Sequence, residues 1–188
     1  NQGLLVTSID SFARYHQVDG HTRGEQAATW ERLALLRARF VAGDDSIGAR
    51  AMEIVHAAAY ERSGDNYAGI AGDIKHLRDR MERELAAERP GRYDIKFGRG
   101  GLVEIELGVQ LLQLLFAHEP SVRTQQTPLA IDALTRCGAL SREHGDWFAD
   151  GYRFLRRLEQ RIRIVHGDSS HLLEERAAGI FALARRMG

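Results

Sequence analysis

The stretch at 93–116 constrains this chain more than any other. A charged, glycine-broken loop, Tyr-Asp-Ile-Lys-Phe-Gly-Arg-Gly-Gly, runs straight into Leu-Val-Glu-Ile-Glu-Leu-Gly-Val-Gln-Leu-Leu-Gln-Leu-Leu-Phe, the most apolar helical pattern in the sequence. Leu102, Ile105, Val109, Leu112 and Phe116 recur at helical spacing, while Val103, Leu107, Leu111, Leu114 and Leu115 cover most of the remaining circumference. A helix that is apolar nearly all round must be central and largely buried. Glu106, Gln110 and Gln113 then form one polar stripe on it, at i, i+4 and i+7. Buried carboxylates and amides need partners, so the stripe must meet a polar groove, an arginine of another helix or a ligand.

The loop carries a second expectation. Gly98, Gly100 and Gly101 permit positive φ, so the chain can turn sharply before Leu102. A helix starting there would point free N–H groups back at Asp94, Lys96 and Arg99, and such an end flanked by cations favours an anion. The competing reading is an ordinary glycine-rich helix entry. Val103 stands where a dinucleotide fingerprint needs its third glycine, and no Gly-Lys-Ser/Thr comes after it to make a phosphate loop.

At 188 residues the chain suffices for one good core, or one domain and part of another. Acidic and basic residues balance at 26 each, so no overall field attracts nucleic acid or a membrane surface. Lys75 and Lys96 are the only lysines, which singles out Lys96 in the loop. Cys137 alone cannot form an internal disulfide, which agrees with a reducing cytoplasm. No apolar run reaches membrane-spanning length, and the histidines and Cys137 show no metal-ligand spacing. The chain opens on Asn-Gln-Gly-Leu-Leu-Val-Thr-Ser without a methionine and reads as a piece of something longer.

In order, Leu4 to Val6 read as the end of a strand or an extended lead-in, and Ser8 caps a short helix bearing Ile9, Phe12 and Tyr15 or His16 on one side. A loop comes next at 18–26, then a helix over 27–38 closed by Arg37 and Arg39. The next helix, 44–62, should carry Ile47, Ala51, Ile54, Val55 and Ala58 inward, and 63–66 break it. A charged helix over 70–87 presents the narrow seam Ile74, Leu77, Met81 and Leu85. After the central helix, Thr127-Pro128 start a helix that stops at Gly138. A long helix over 143–166 packs through Phe148, Gly151, Leu155, Leu158, Ile162 and Val165. Arg153, Arg156, Arg157, Arg161 and Arg163 lie off that seam, some as partners for Glu104 or Glu106. Residues 167–170 end it, and a last amphipathic helix spans 174–187. The fold class is all-α, a helical bundle over 44–188 preceded at 1–43 by a remnant of another domain.

Asp94-Ile-Lys-x-Gly-x-Gly-Gly-x-x-Glu104-Ile-Glu106, with Gln110, Gln113, Thr127, Leu134 and Tyr152-x-Phe-Leu-Arg-Arg-Leu-Glu159, resembles the glutamine synthetase adenylyltransferase family. The earlier Gly3-Leu-Leu-Val-Thr-Ser8, Thr29-Trp30-Glu31 and Leu36-Arg37-Ala38-Arg39 are similar to the segment after the catalytic strand in that family's C-terminal, adenylylating half. The resemblance implies that 1–43 is the end of a truncated nucleotidyltransferase domain and that the intact enzyme uses ATP and Mg2+. It also implies glutamine synthetase, the PII signal protein and the nucleotidyltransferase domain as partners. The family's metal-holding Asp-x-Asp pair does not occur here, so this chain alone should not transfer AMP. Asp94, Lys96, Gly98, Gly100 and Gly101 would face the catalytic cleft, binding nucleotide phosphates or orienting the catalytic domain, and Glu104 and Glu106 would hold the loop through arginines. Two other readings are a non-catalytic module that docks partner proteins, and the helical domain of a PII uridylyltransferase, which shares parts of the central motif.

Overall fold

The computed structural model describes residues 6–16, 29–60, 67–166, 171–176 and 179–187. The expectations for Leu4 and Leu5, for the loop at 18–26 and for the breaks at 63–66 and 167–170 lie outside these residues. Helices α1 (Ile9–His16), α2 (Thr29–Leu35), α3 (Asp45–Tyr60) and α4 (Tyr67–Leu85) come first. A short strand β1 (Arg92–Asp94) leads into α5 (Leu102–Leu115), and then come α6 (Thr127–Arg136) and α7 (Arg142–His166). Strand β2 (Leu172–Glu174) and α8 (Ile180–Met187) complete the order. The architecture is an all-α bundle.

The central position of α5 arises from its composition, and it packs against α4, α6 and α7. The two apolar sets read from its sequence separate into two cores. Val103, Leu107 and Leu114 join Leu33, Leu36, Ala59, Ile70 and Ile74 on one side, with Leu111 against them. Val109 joins Val122, Ala130, Ile131 and Leu134 on the other, with Ile105, Leu112 and Phe116 against them. A third core of Ile95, Leu158, Ile162 and Leu183 binds α7 to α8 and to the loop before α5.

Helix ends obey their local chemistry. The Ser8 hydroxyl accepts the Ser11 N–H at 3.2 Å, capping α1. Asp44 caps α3 by accepting the N–H groups of Ser46 and Ile47 at 2.9 and 3.1 Å. The Ser46 hydroxyl and these two N–H groups hold its carboxyl below the usual range. Gly138, at φ 82°, ends α6 in the left-handed conformation that a side chain would resist. α2 stops short of 38 because Arg37 and Ala38 donate to Ala34 and Leu35, three residues back, in a tightened last turn.

Three expectations need correcting. Ile47 is 60% exposed, because Gly48 is the residue covered in that turn, beneath the Phe40 ring. Leu85, the last seam residue of α4, is 49% exposed. The helix expected over 174–187 begins only at Ile180, because Leu172–Glu174 instead pairs antiparallel with Arg92–Asp94.

Leu134 is 0% exposed, so Leu134→Ala should lower the unfolding free energy by about 2–5 kcal/mol in urea titration. Leu129→Ala on the same helix, at a side chain 51% exposed, should change it by about 0.5 kcal/mol or less.

Candidate functional site

The loop between β1 and α5 is organised by a buried carboxylate. Asp94 is 2% exposed, and its Oδ1 accepts the N–H groups of Lys96 and Phe97 at 3.0 and 2.8 Å. Its Oδ2 lies 3.2 Å from His171 Nε2 and accepts the Ala87 N–H at 3.4 Å. The Asp94 N–H itself donates to Glu88. These bonds fold the chain back on itself directly after the strand.

The expected free N–H groups at the start of α5 are not free. Leu102 donates to the Ile95 carbonyl at 3.0 Å, Val103 to the Lys96 carbonyl at 3.1 Å, and Glu104 to Gly101 at 3.1 Å. The loop supplies the acceptors that the first turn of a helix otherwise lacks. An anion does sit at the turn, but it belongs to the chain. Glu104 Oε2 accepts the Gly100 N–H at 2.7 Å and lies 3.3 Å from Arg78 Nη2. Arg78, only 9% exposed, also donates to the Gly98 carbonyl at 2.9 Å. Arg99 turns outward to Glu82 at 2.8 Å, and that hydrogen bond raises its pKa.

The glycines act for different reasons. Gly100 alone of the three has positive φ, 68°. A side chain on Gly98 would collide with Glu88 and the Asp94 carbonyl, and one on Gly101 would lie 2.8–3.1 Å from the carbonyls of Gly98, Lys96 and Ile95. Two of the glycines thus allow close backbone approach, and one allows the turn.

The polar stripe of α5 is satisfied by protein groups. Glu106 Oε1 accepts from Arg156 at 2.8 Å and lies 3.6 Å from Arg37. Arg37 also donates to the Gln125 carbonyl. Gln110 donates to the Leu33 carbonyl, and Gln113 to those of Val122 and Thr124. Burial alone would lower the Arg156 pKa, but its bonds to Tyr152 and Glu159 and the charge of Glu106 hold it above its ordinary value. Of the long-helix arginines, Arg156 is the one that reaches α5; Glu104 is met from α4 instead.

Residues 70–188 match the family described as GlnD PII-uridylyltransferase, and residues 1–54 match that described as Glutamate-ammonia ligase adenylyltransferase. Proteins named bifunctional glutamine synthetase adenylyltransferase/adenylyl-removing enzyme align along the chain. That of Cutibacterium acnes is 33% identical over all of it, that of Streptomyces coelicolor 31% over 99% of it, and that of Burkholderia mallei 34% over 94%. The chain belongs to the glutamine synthetase adenylyltransferase family. It spans 18–19% of the length of these relatives and corresponds to a helical part of them. The match over 70–188 shows why the central motif alone did not separate this adenylyltransferase family from the uridylyltransferases.

For a member of a nucleotidyl-transferring family, the loop's fit to a nucleotide can be tested directly. A triphosphate arriving at α5 would meet N–H groups already bonded and a resident glutamate. Among the described residues Lys96 has no carboxylate partner, and its Nζ lies 5.0 Å from the centre of the Phe97 ring. Lys96 is thus one cation beside a turn whose N–H groups are bonded within the chain. Among the described residues no three His, Cys, Asp or Glu side chains converge to hold a metal, and no helix is long and apolar enough to cross a membrane.

Two residues that organise the loop were missed by sequence reasoning. Arg78 has the i, i+4 carboxylate Glu82 of an ordinary solvated helix face, 3.5 Å away, and only the neighbouring loop reveals its burial. His171 gives no sequence signal, because it reaches Asp94 through pairing of strands 80 positions apart.

Arg78→Met should destabilise the chain by about 1–3 kcal/mol in urea unfolding, since it removes a buried guanidinium's hydrogen bonds to the Gly98 carbonyl and to Glu104. Hydrogen exchange of the Gly100 amide should accelerate in the same variant, whereas Arg80→Met, at an exposed pair, should leave both unchanged.

Proposed function

We propose that this chain is the helical support of an adenylyltransferase whose intact form moves AMP from ATP to a tyrosine of glutamine synthetase, under control of the PII signal protein. ATP and Mg2+ are held by a nucleotidyltransferase unit whose carboxylates offset charge on the phosphates, and no residue here is assigned that task. Residues 1–43 are the seam with that unit, and 44–188 form the bundle behind it. The glycine loop and α5 supply a rigid base on which the unit is oriented.

The observation that carries this reading is the joint at Glu106. Arg37 belongs to the stretch matching the adenylyltransferase family description, and Glu106 and Arg156 belong to the bundle. Arg37 donates to the Gln125 carbonyl at 3.2 Å and lies 3.6 Å from Glu106 Oε1, the same oxygen to which Arg156 donates at 2.8 Å. Two cations at one carboxylate oxygen, with Arg37 also bonded to the Gln125 carbonyl, tie the two segments by charge as well as by apolar contact.

In the full-length protein, Glu106→Gln should lower the kcat of AMP transfer several-fold and leave the KM for ATP unchanged. Lys96→Ala should alter neither. A raised KM for ATP in Lys96→Ala would instead place the loop against the phosphates and overturn the support reading.

A second reading, protein docking, is favoured by the outer side of α7. Trp147, Phe154 and Ile164 are 61, 56 and 62% exposed there, and Arg157 has no carboxylate partner among the described residues. Arg157→Glu should weaken capture of purified glutamine synthetase or PII without changing nucleotide affinity, and unchanged capture of both would reject docking through this face.

A further inference from the structure

We propose that the cavity at the end of the β1–β2 strand pair is an anion site that takes a phosphate-bearing ligand, separate from the glycine loop. The cavity measures about 410 Å³, and Arg89, Arg92, Arg176 and Glu174 line it. The turn Pro90-Gly91 leads into β1, with Gly91 at φ 78°. Arg89 and Arg92 exchange backbone hydrogen bonds of 2.8 and 3.1 Å across that turn, and the Glu175 N–H donates to the Gly91 carbonyl at 2.9 Å. The wall bearing the arginines is therefore fixed from both strands, and its geometry exists before a ligand arrives.

The guanidinium groups are under-used. Glu174 lies 3.7 Å from Arg89 and 3.6 Å from Arg92, beyond hydrogen-bond reach for both. The Arg92 Nε is shielded from water and has no hydrogen-bond partner. Arg176 has no carboxylate partner among the described residues, and Glu175 is engaged by the Tyr93 hydroxyl at 2.6 Å. Three guanidinium groups thus surround a cavity with two carboxylates, one of them turned to a tyrosine, and the space is net positive.

An anion entering the cavity would give the exposed Arg89 guanidinium the close acceptor that Glu174 does not provide. A carboxylate offers two oxygens. A phosphate offers three around one centre and carries up to two charges, which suits a cavity lined by several arginines. Glu174 would be the competitor that keeps the site weakly neutralised when it is empty.

The test is isothermal titration of the whole chain with sodium pyrophosphate and, separately, with ATP at matched ionic strength. One saturable site is expected for both. Similar affinities would identify the phosphate chain as the recognised group, and a clear preference for ATP would identify a nucleotide. Replacing the exposed pair together, Arg89→Gln with Arg176→Gln, should weaken binding by about tenfold or more. Glu174→Gln should tighten it, a gain that misfolding cannot produce, and Lys96→Ala should leave it unchanged. The proposal is overturned by the lack of a saturable site, by ATP binding without pyrophosphate binding, by affinity indifferent to the arginine pair in a chain with unaltered circular dichroism, or by loss of binding in Glu174→Gln or Lys96→Ala.

Discussion

The contact on which the rest of the structure depends is the closure of the glycine turn by Glu104. A helix N-terminus carries partial positive charge, and at α5 that charge is met within the chain by a first-turn glutamate that accepts the Gly100 N–H and pairs with Arg78. Arg78 comes from α4, so one carboxylate ties the turn, the central helix and the neighbouring helix together. α5 in turn contributes to two cores, and its orientation is inherited by α6 and α7. Were the turn open, the helix entering both cores would lack a fixed starting point.

Asp94 works by the same logic one step earlier in the chain. A fully buried carboxylate costs several kcal/mol in lost hydration, and that cost is offset only when nearly every lone pair is used. Here the N–H groups of Lys96, Phe97 and Ala87 and the ring of His171 surround it. His171 also lends its carbonyl to the Ile95 N–H, so the strand after α7 is joined to the loop twice. Order thus passes from a single side chain to segments far apart in sequence.

The features legible in the sequence were those that periodicity carries. The two apolar faces of α5 became two cores, and the need of Glu106 for an arginine was readable because a carboxylate on an apolar rod has few alternatives. Identity was harder than type. Arg156 and Arg37 answer Glu106, while Glu104 is met by Arg78, whose neighbours in sequence make it look like one more charge on a wet face. The strand pair was invisible, since two three-residue strands show no alternation to read and meet only across 80 positions. The glycines announced a turn, but composition does not distinguish a residue needed for positive φ from one needed because carbonyls crowd its α-carbon. Gly100 is the first kind, and Gly98 and Gly101 are the second.

The self-contained character of the loop bears on how a helical unit matching a uridylyltransferase description stands in a chain whose relatives are named adenylyltransferases. Residues 70–188 match a uridylyltransferase description, while residues 1–54 match an adenylyltransferase one and full-chain relatives carry adenylyltransferase names. A turn whose donors were held open for one nucleotide would tie the helical unit to that nucleotide. In this turn the anion is Glu104, the acceptors are the carbonyls of Ile95, Lys96 and Gly101, and the cation is Arg78. None of these groups distinguishes one base from another, so the same clamp can stand behind different chemistries. Whatever distinguishes one nucleotide from another must then lie outside the clamp, in the residues that line its seam with whatever packs against it.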